Sequence, residues 1–181
     1  MAIIIEVNDA DIRAAFNRLL ATVENPEAAM KVVGETWLAN TKRRFDTETG
    51  PDGVRWQANS ALTLQRFLGY RKSNFGKKGG LSAKGMARIG AKKILQGHSG
   101  DLRNTLFFDA GPDFVLLASP MIYSATQQFG AAQGKFGTDS RNHPIPWGDI
   151  PARPFLGASE EDKADILGIF NDFLSRAIDG G

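Results

Sequence analysis

The spacing of apolar side chains changes along the chain, and each change predicts an element. Ile3-Ile4-Ile5-Glu6-Val7 is a short β-branched run and predicts a strand. After it, Ile12, Ala15, Phe16, Leu19, Leu20 and Val23 recur at helical spacing, with Arg13, Asn17 and Arg18 opposite. Asn8 or Asp9 can cap that helix. Asn25-Pro26-Glu27 marks a second helix start, with Asn at the N-cap, Pro at the first helical position and Glu in the first turn. Ala29, Val32, Val33 (or Thr36), Trp37 and Thr41 fall near one face and predict a helix to about Arg44. Lys42, Arg43 and Arg44 then suit its C-terminal end, where the helix dipole favours cations. Ile166, Ile169, Phe170, Phe173, Leu174 and Ile178 form the apolar stripe of a last helix over about 159–177. Ser159 with Asp162 resembles a capping box at its start, with Asp in place of the usual Glu or Gln.

Between these helices the pattern shortens. Gly50-Pro51-Asp52-Gly53 signals a tight turn, flanked by Phe45 and Trp56, which clamp the loop to the core. Asn59 or Ser60 caps a short helix through Leu64. Leu102 to Phe108 and Phe114 to Ser119 read as two strands around the turn Asp109-Ala110-Gly111-Pro112-Asp113, hence a hairpin. Met121 to Phe129 reads as a short helix or turn anchored by Tyr123 and Phe129, and residues 130–147 as a surface loop. The expected fold is therefore α+β, a single domain over residues 1–181: a small antiparallel sheet with a β-hairpin packed by two or three helices.

Composition sharpens this picture at one place. The 181 residues are 42% hydrophobic, enough for a core at this size, and no apolar run is long enough for a transmembrane helix. The N-terminus has no basic segment ahead of its apolar run and does not read as a signal peptide. Cysteine is absent, so disulfides and thiolate metal sites are excluded. Net charge is only +2, yet no Asp or Glu occurs from Gly53 to Gly100. That stretch holds Arg55, Arg66, Arg71, Lys72, Lys77, Lys78, Lys84, Arg88, Lys92 and Lys93, with Phe67, Tyr70 and Phe75 interspersed. Its apolar residues show no firm period, so residues 66–93 read as a mobile, basic loop insertion. Such a block is either a solvated loop or a contact for phosphate backbone, with Arg71, Lys72, Lys77, Lys78, Lys84 and Arg88 facing DNA.

Enzymatic readings find little to stand on. His98 and His143 lack a second ligand at metal spacing, and Gly-His98-Ser-Gly is not a strand–turn–helix nucleophile elbow. Lys78-Gly79-Gly80 lacks the Lys-Ser/Thr ending of a phosphate loop. Glu160, Glu161 and Asp162 are first-turn acids of a helix. The expectation is no catalytic, cofactor or metal site. One rigid segment remains: Ile150-Pro151-Ala152-Arg153-Pro154-Phe155-Leu156-Gly157. Its prolines hold it extended, Arg153 sits between them, and Phe155 and Leu156 can dock on the core. Arg153 is either a local cap or pair, or a contact site.

Four stretches then fall in a shared order. They are Arg44-Phe45 with Gly50-Pro51-Asp52-Gly53, Trp56 and Thr63; Leu95 with Ser99-Gly100-Asp101-Leu102-Arg103; Tyr123-Ser124-Ala125-Thr126-Gln127-Gln128-Phe129-Gly130; and the proline segment with Ser159 beyond. Together, over about residue 37 to the C-terminus, they resemble the phage virion morphogenesis family, which includes tail-completion proteins of contractile-tailed phages and Mu-like prophages. Ser124 and Gln127 stand where that family usually has Ala and His, so a titrating histidine role is absent at this position.

The resemblance implies a non-enzymatic role late in virion assembly, in tail completion and head–tail joining, as part of a homo-oligomeric ring at the neck. Partners would be other copies of the chain, neck and tail proteins and, through the basic loop, packaged DNA. No membrane and no small-molecule substrate are expected, and the location would be the virion, or the host cytoplasm during assembly. Trp56, Tyr123, Gln128, Phe129, Pro151, Arg153, Pro154 and Phe155 become candidate structural or interface residues. The competing expectation is a stand-alone, non-specific nucleic-acid-binding accessory protein.

Overall fold

A computed structural model of the chain describes residue 21 and residues 26–69, 71–97 and 99–179. The expected N-terminal strand, the first helix and the Asn25 cap lie outside the described residues. Six α-helices and a two-stranded antiparallel sheet make up the rest, an α+β fold. The chain divides into two compact units. Unit 1 comprises residues up to Asn40, Phe107–Ala118 and Ala158 onward; unit 2 comprises Thr41–Leu106 and Ser119–Gly157.

Helix α1 (Glu27–Thr47) begins after Pro26, whose carbonyl accepts from Met30 N–H at 2.9 Å. Its residues up to Asn40 belong to unit 1, with Ala29, Val33 and Gly34 buried. Strands β1 (Phe107–Ala110) and β2 (Val115–Ala118) pair Phe107 with Ala118 and Asp109 with Leu116. Side chains alternate across a strand, so Phe108 and Ala110 face one side and Phe107 and Asp109 the other. Phe108 lies on α1 at Gly34, where a Cβ would sit 2.2 Å from the ring. The last helix, here called α6 (Glu160–Asp179), completes unit 1. The capping box is present: Ser159 Oγ accepts from Asp162 N–H at 3.1 Å, and Asp162 Oδ2 accepts from Ser159 N–H at 2.7 Å. Aspartate suffices because Asp162 is buried and Asn40 donates to its other oxygen at 3.0 Å and to Asp165 at 2.8 Å.

Unit 2 holds α2 (Ala61–Gly69), a 3₁₀ turn (Lys72–Asn74), α3 (Ala83–Gly90), α4 (Asp101–Asn104) and α5 (Ser124–Phe129). Three expectations change. Leu102 to Asn104 is a helical turn rather than the start of a strand, because Gly100, at φ 70°, accepts from the Arg103 and Asn104 amides. Residues 131–150 form an irregular two-stranded arm rather than a plain loop. Ala131 and Ile150 exchange backbone bonds of 2.9 and 2.8 Å, and Phe136 N–H donates to Ile145 carbonyl at 2.8 Å. Finally, helix α3 stands inside the basic stretch, started by Ser82 Oγ on Gly85 N–H. It was hidden because its anchor is polar: Asn74 is fully buried, donating to Leu68 carbonyl and accepting from Arg88.

Candidate functional site

The Gly50–Gly53 turn closes as its residues dictate. Gly53 N–H donates to Gly50 carbonyl at 3.0 Å, Asp52 Oδ1 accepts from Val54 N–H, and Gly53 takes φ 75°. Closure brings Trp56 back onto the end of α1, where Phe45 and Trp56 meet edge to face at 5.3 Å. Phe155 from the proline segment packs on the same Phe45 ring at 5.6 Å and is fully buried. Each such aromatic pair adds about 1 kcal/mol beyond area burial.

Around this apolar centre the polar side chains bond to backbone. Trp56 Nε1 donates to Pro154 carbonyl at 2.8 Å. Arg44 Nη1 donates to the carbonyls of Phe155 (3.0 Å) and Gly157 (2.8 Å). The Gln128 amide takes the place of a neighbouring strand. Its Oε1 accepts from Phe155 N–H (2.9 Å) and Leu156 N–H (3.0 Å), and its Nε2 donates to Leu156 carbonyl. Prolines 151 and 154, both half-buried, have no N–H to offer, so the stiff segment cannot pair as a regular strand. Gly130, at φ 73°, passes so close that a Cβ would lie 2.8 Å from Ile150 O and Ala152 N.

Arg153 is 8% exposed and holds residues 57–58 in place. Its Nε donates to Gln57 carbonyl at 2.8 Å and its Nη2 to Ala58 carbonyl at 3.1 Å. Its own amide donates to Gln127 carbonyl at 2.7 Å. Burial pushes the guanidinium pKa down from its usual value, because the charged form loses hydration. Arg153 therefore bonds within unit 2, and its Nη1 has no partner among the described residues.

That nitrogen belongs to a residue lining a cleft of about 520 Å³ within unit 2. Arg66, Lys92, Tyr123, Trp147 and Asp149 line it too. Arg66 stacks over the Trp147 ring at 5.1 Å. Lys92 Nζ donates to the carbonyls of Gln96 and Lys93, and burial pushes its pKa down against the opposing pull of Glu48. Tyr123 is 42% and Phe129 77% exposed. Neither anchors its helix in the core, which corrects that expectation; Gln128 and Gly130 do the tethering instead.

Sequence reasoning missed Glu48. It is buried at φ 60°, accepts Ile94 N–H at 2.8 Å on one oxygen and Arg55 at 2.9 Å on the other, and takes Trp56 N–H on its carbonyl. Burial is the largest single influence and opposes ionisation, but Ile94, Arg55 and Lys93 together hold the carboxyl below its usual range. A signal existed: an acid just after a helix C-terminus opposes the dipole and needs specific donors.

The candidate DNA-facing residues fall on one small lobe. Residues 75–81 make a tight hairpin, with Gly76 N–H on Gly80 carbonyl and Gly79 at φ 79°. Arg71, Lys72, Lys77, Lys78 and Lys84 are exposed on it. Arg88 is half-buried and donates to Asn74 Oδ1 at 3.2 Å, so it braces the lobe from within. Among the described residues no cluster of His, Asp or Glu could hold a metal ion, and no helix is long and apolar enough to cross a membrane.

Comparison with known proteins identifies the family. Residues 7–175 match the phage virion morphogenesis family, and the chain belongs to that family. It is also similar to the putative capsid assembly protein G of Escherichia phage Mu, 29% identical over 160 residues that cover 88% of this chain and 86% of that protein. No solved structure matches. The contacts of Arg44, Trp56, Gln128 and Arg153 share one physical role, which is to hold one packed corner together.

Proposed function

We propose that this member of the virion morphogenesis family works in tail completion or head–tail joining, as one subunit of a ring at the virion neck. The role is non-enzymatic, and its setting is the assembling particle in the host cell. The basic lobe faces the DNA path. The observation that carries this reading is the lobe itself: five exposed cations on a compact support, in a stretch without any carboxylate from residue 53 to 100. The name of the Mu relative, a putative capsid assembly protein, points to the same stage of the phage cycle.

Cations on a ring lumen would neutralise phosphate without reading bases, which suits DNA that passes or rests there regardless of sequence. The test is charge reversal of Lys72, Lys77 and Lys78 to Glu in the parent phage or prophage. Expected are particles that assemble tails yet lose infectivity and retain less DNA. Normal titre with full DNA retention sinks the placement. A stand-alone nucleic-acid-binding accessory is separated from this reading by light scattering and a salt titration. A ring-sized mass with weak duplex affinity supports the neck role; a monomer with tight, salt-steep binding supports the accessory.

A further inference from the structure

The two units carry opposite charge. Among described residues unit 1 has three basic and ten acidic side chains, net −7, whereas unit 2 has seventeen basic and six acidic, net +11. Unit 2 contains the Arg153 cleft. A buried cation is costly unless an anion compensates it. Arg153 has carbonyls on Nε and Nη2, no carboxylate within ion-pair distance, and a free Nη1. Arg66 also lacks a carboxylate partner among the described residues. Asp149 borders the cleft, but its Oδ1 is taken by Gln133 N–H at 2.8 Å, and three cations outnumber it.

Unit 1 carries the complementary charge, beside exposed apolar side chains. The β1–β2 hairpin packs Phe108 on Gly34 and turns its other face, Phe107, Asp109, Phe114 and Leu116, to solvent. Phe114 is 47% and Leu116 54% exposed. The side chains of Asp113, exposed in the turn, and of Asp109 have no hydrogen-bond or ion-pair partner among the described residues. An exposed apolar face with unpaired acids is a surface for a partner.

We infer that the hairpin turn of a second copy enters this cleft, placing Asp113 against Arg153 and Arg66 and Phe114 beside Trp147 and Tyr123. The joint is heterologous, head to tail, the kind of contact that generates a ring when its rotation closes. The site is incomplete without the second copy, which supplies the missing carboxylate. A DNA duplex is too wide to enter a cleft of about 520 Å³, whereas a four-residue turn is of suitable size. The inference rests on the proposed self-assembly.

Its test is a charge swap on the full chain, with Asp113→Arg and Arg66→Glu made separately and mass measured by light scattering at low salt. Among the described residues the Asp113 side chain makes no hydrogen bond or ion pair and Arg66 only stacks on the exposed Trp147 ring, so circular dichroism should match wild type. Each variant alone is expected to self-associate roughly tenfold or more weakly, since like charges now face each other. An equimolar mixture is expected to recover association into pairs, because the intact hairpin of one variant meets the intact cleft of the other. A monomeric wild type at every concentration overturns the self-assembly reading and the joint with it. An oligomeric wild type with both variants equally oligomeric overturns the joint alone. A third outcome, in which Arg66→Glu lowers salt-dependent binding of a short duplex while Asp113→Arg changes nothing, assigns the cleft to nucleic acid and also overturns it.

Discussion

The proline corner and the basic lobe are both rich in cations, and they use them in opposite ways. At the corner Arg44 and Arg153 turn inward and donate to four backbone carbonyls. On the lobe Lys72, Lys77, Lys78 and Lys84 point to solvent, and only Arg88 turns in, to Asn74. The reason is geometric. A guanidinium holds its donors in one fixed plane, so Arg153 reaches two successive carbonyls from Nε and Nη2 in a single geometry, whereas an ammonium is a compact, strongly hydrated point charge that stays in water unless the chain folds over it. The inward set belongs to the scaffold, because its donors hold segments distant in the chain together. The outward set holds no part of the fold in place and is open to a partner.

Breaking the corner should cost most. Phe155→Ala removes the ring at the centre of the aromatic cluster and should lower stability by about 3–5 kcal/mol, read by urea denaturation. Arg153→Ala strands the carbonyls of Gln57 and Ala58 and should cost about 3 kcal/mol. Arg153→Lys should recover less than half of that loss, and full recovery would show that charge alone matters there. On the lobe, Asn74→Ala should cost about 1–3 kcal/mol. Hydrogen exchange should place the loss in residues 71–90 and leave the corner protected; a loss spread over all of unit 2 would merge the two regions.

The smallest effect is a pH dependence. Glu48 has a folded pKa below its usual 4.5, so its contribution is complete above that value and is lost as pH falls through the folded pKa. Glu48→Gln should therefore flatten the acid limb of stability below the carboxyl's usual 4.5 and cost about 1 kcal/mol near neutrality. An unchanged acid limb would falsify the assignment.

Elements with strong local signals were legible in the sequence. The long helices, the hairpin, the Gly50–Gly53 turn and the Ser159 cap followed from spacing and turn chemistry, since each depends on residues a few positions apart. The family was legible through four ordered motifs. The tertiary structure alone decided what those motifs do. Arg153 reaches residues 57–58 and Gln128 reaches residues 155–156, across 95 and 28 positions of chain. The lobe's helix was hidden for a related reason: it rests on Asn74, a polar residue whose burial no hydropathy pattern records. Nor could composition tell inward arginines from outward lysines. Charge is a property of the residue, but its partner is a property of the fold.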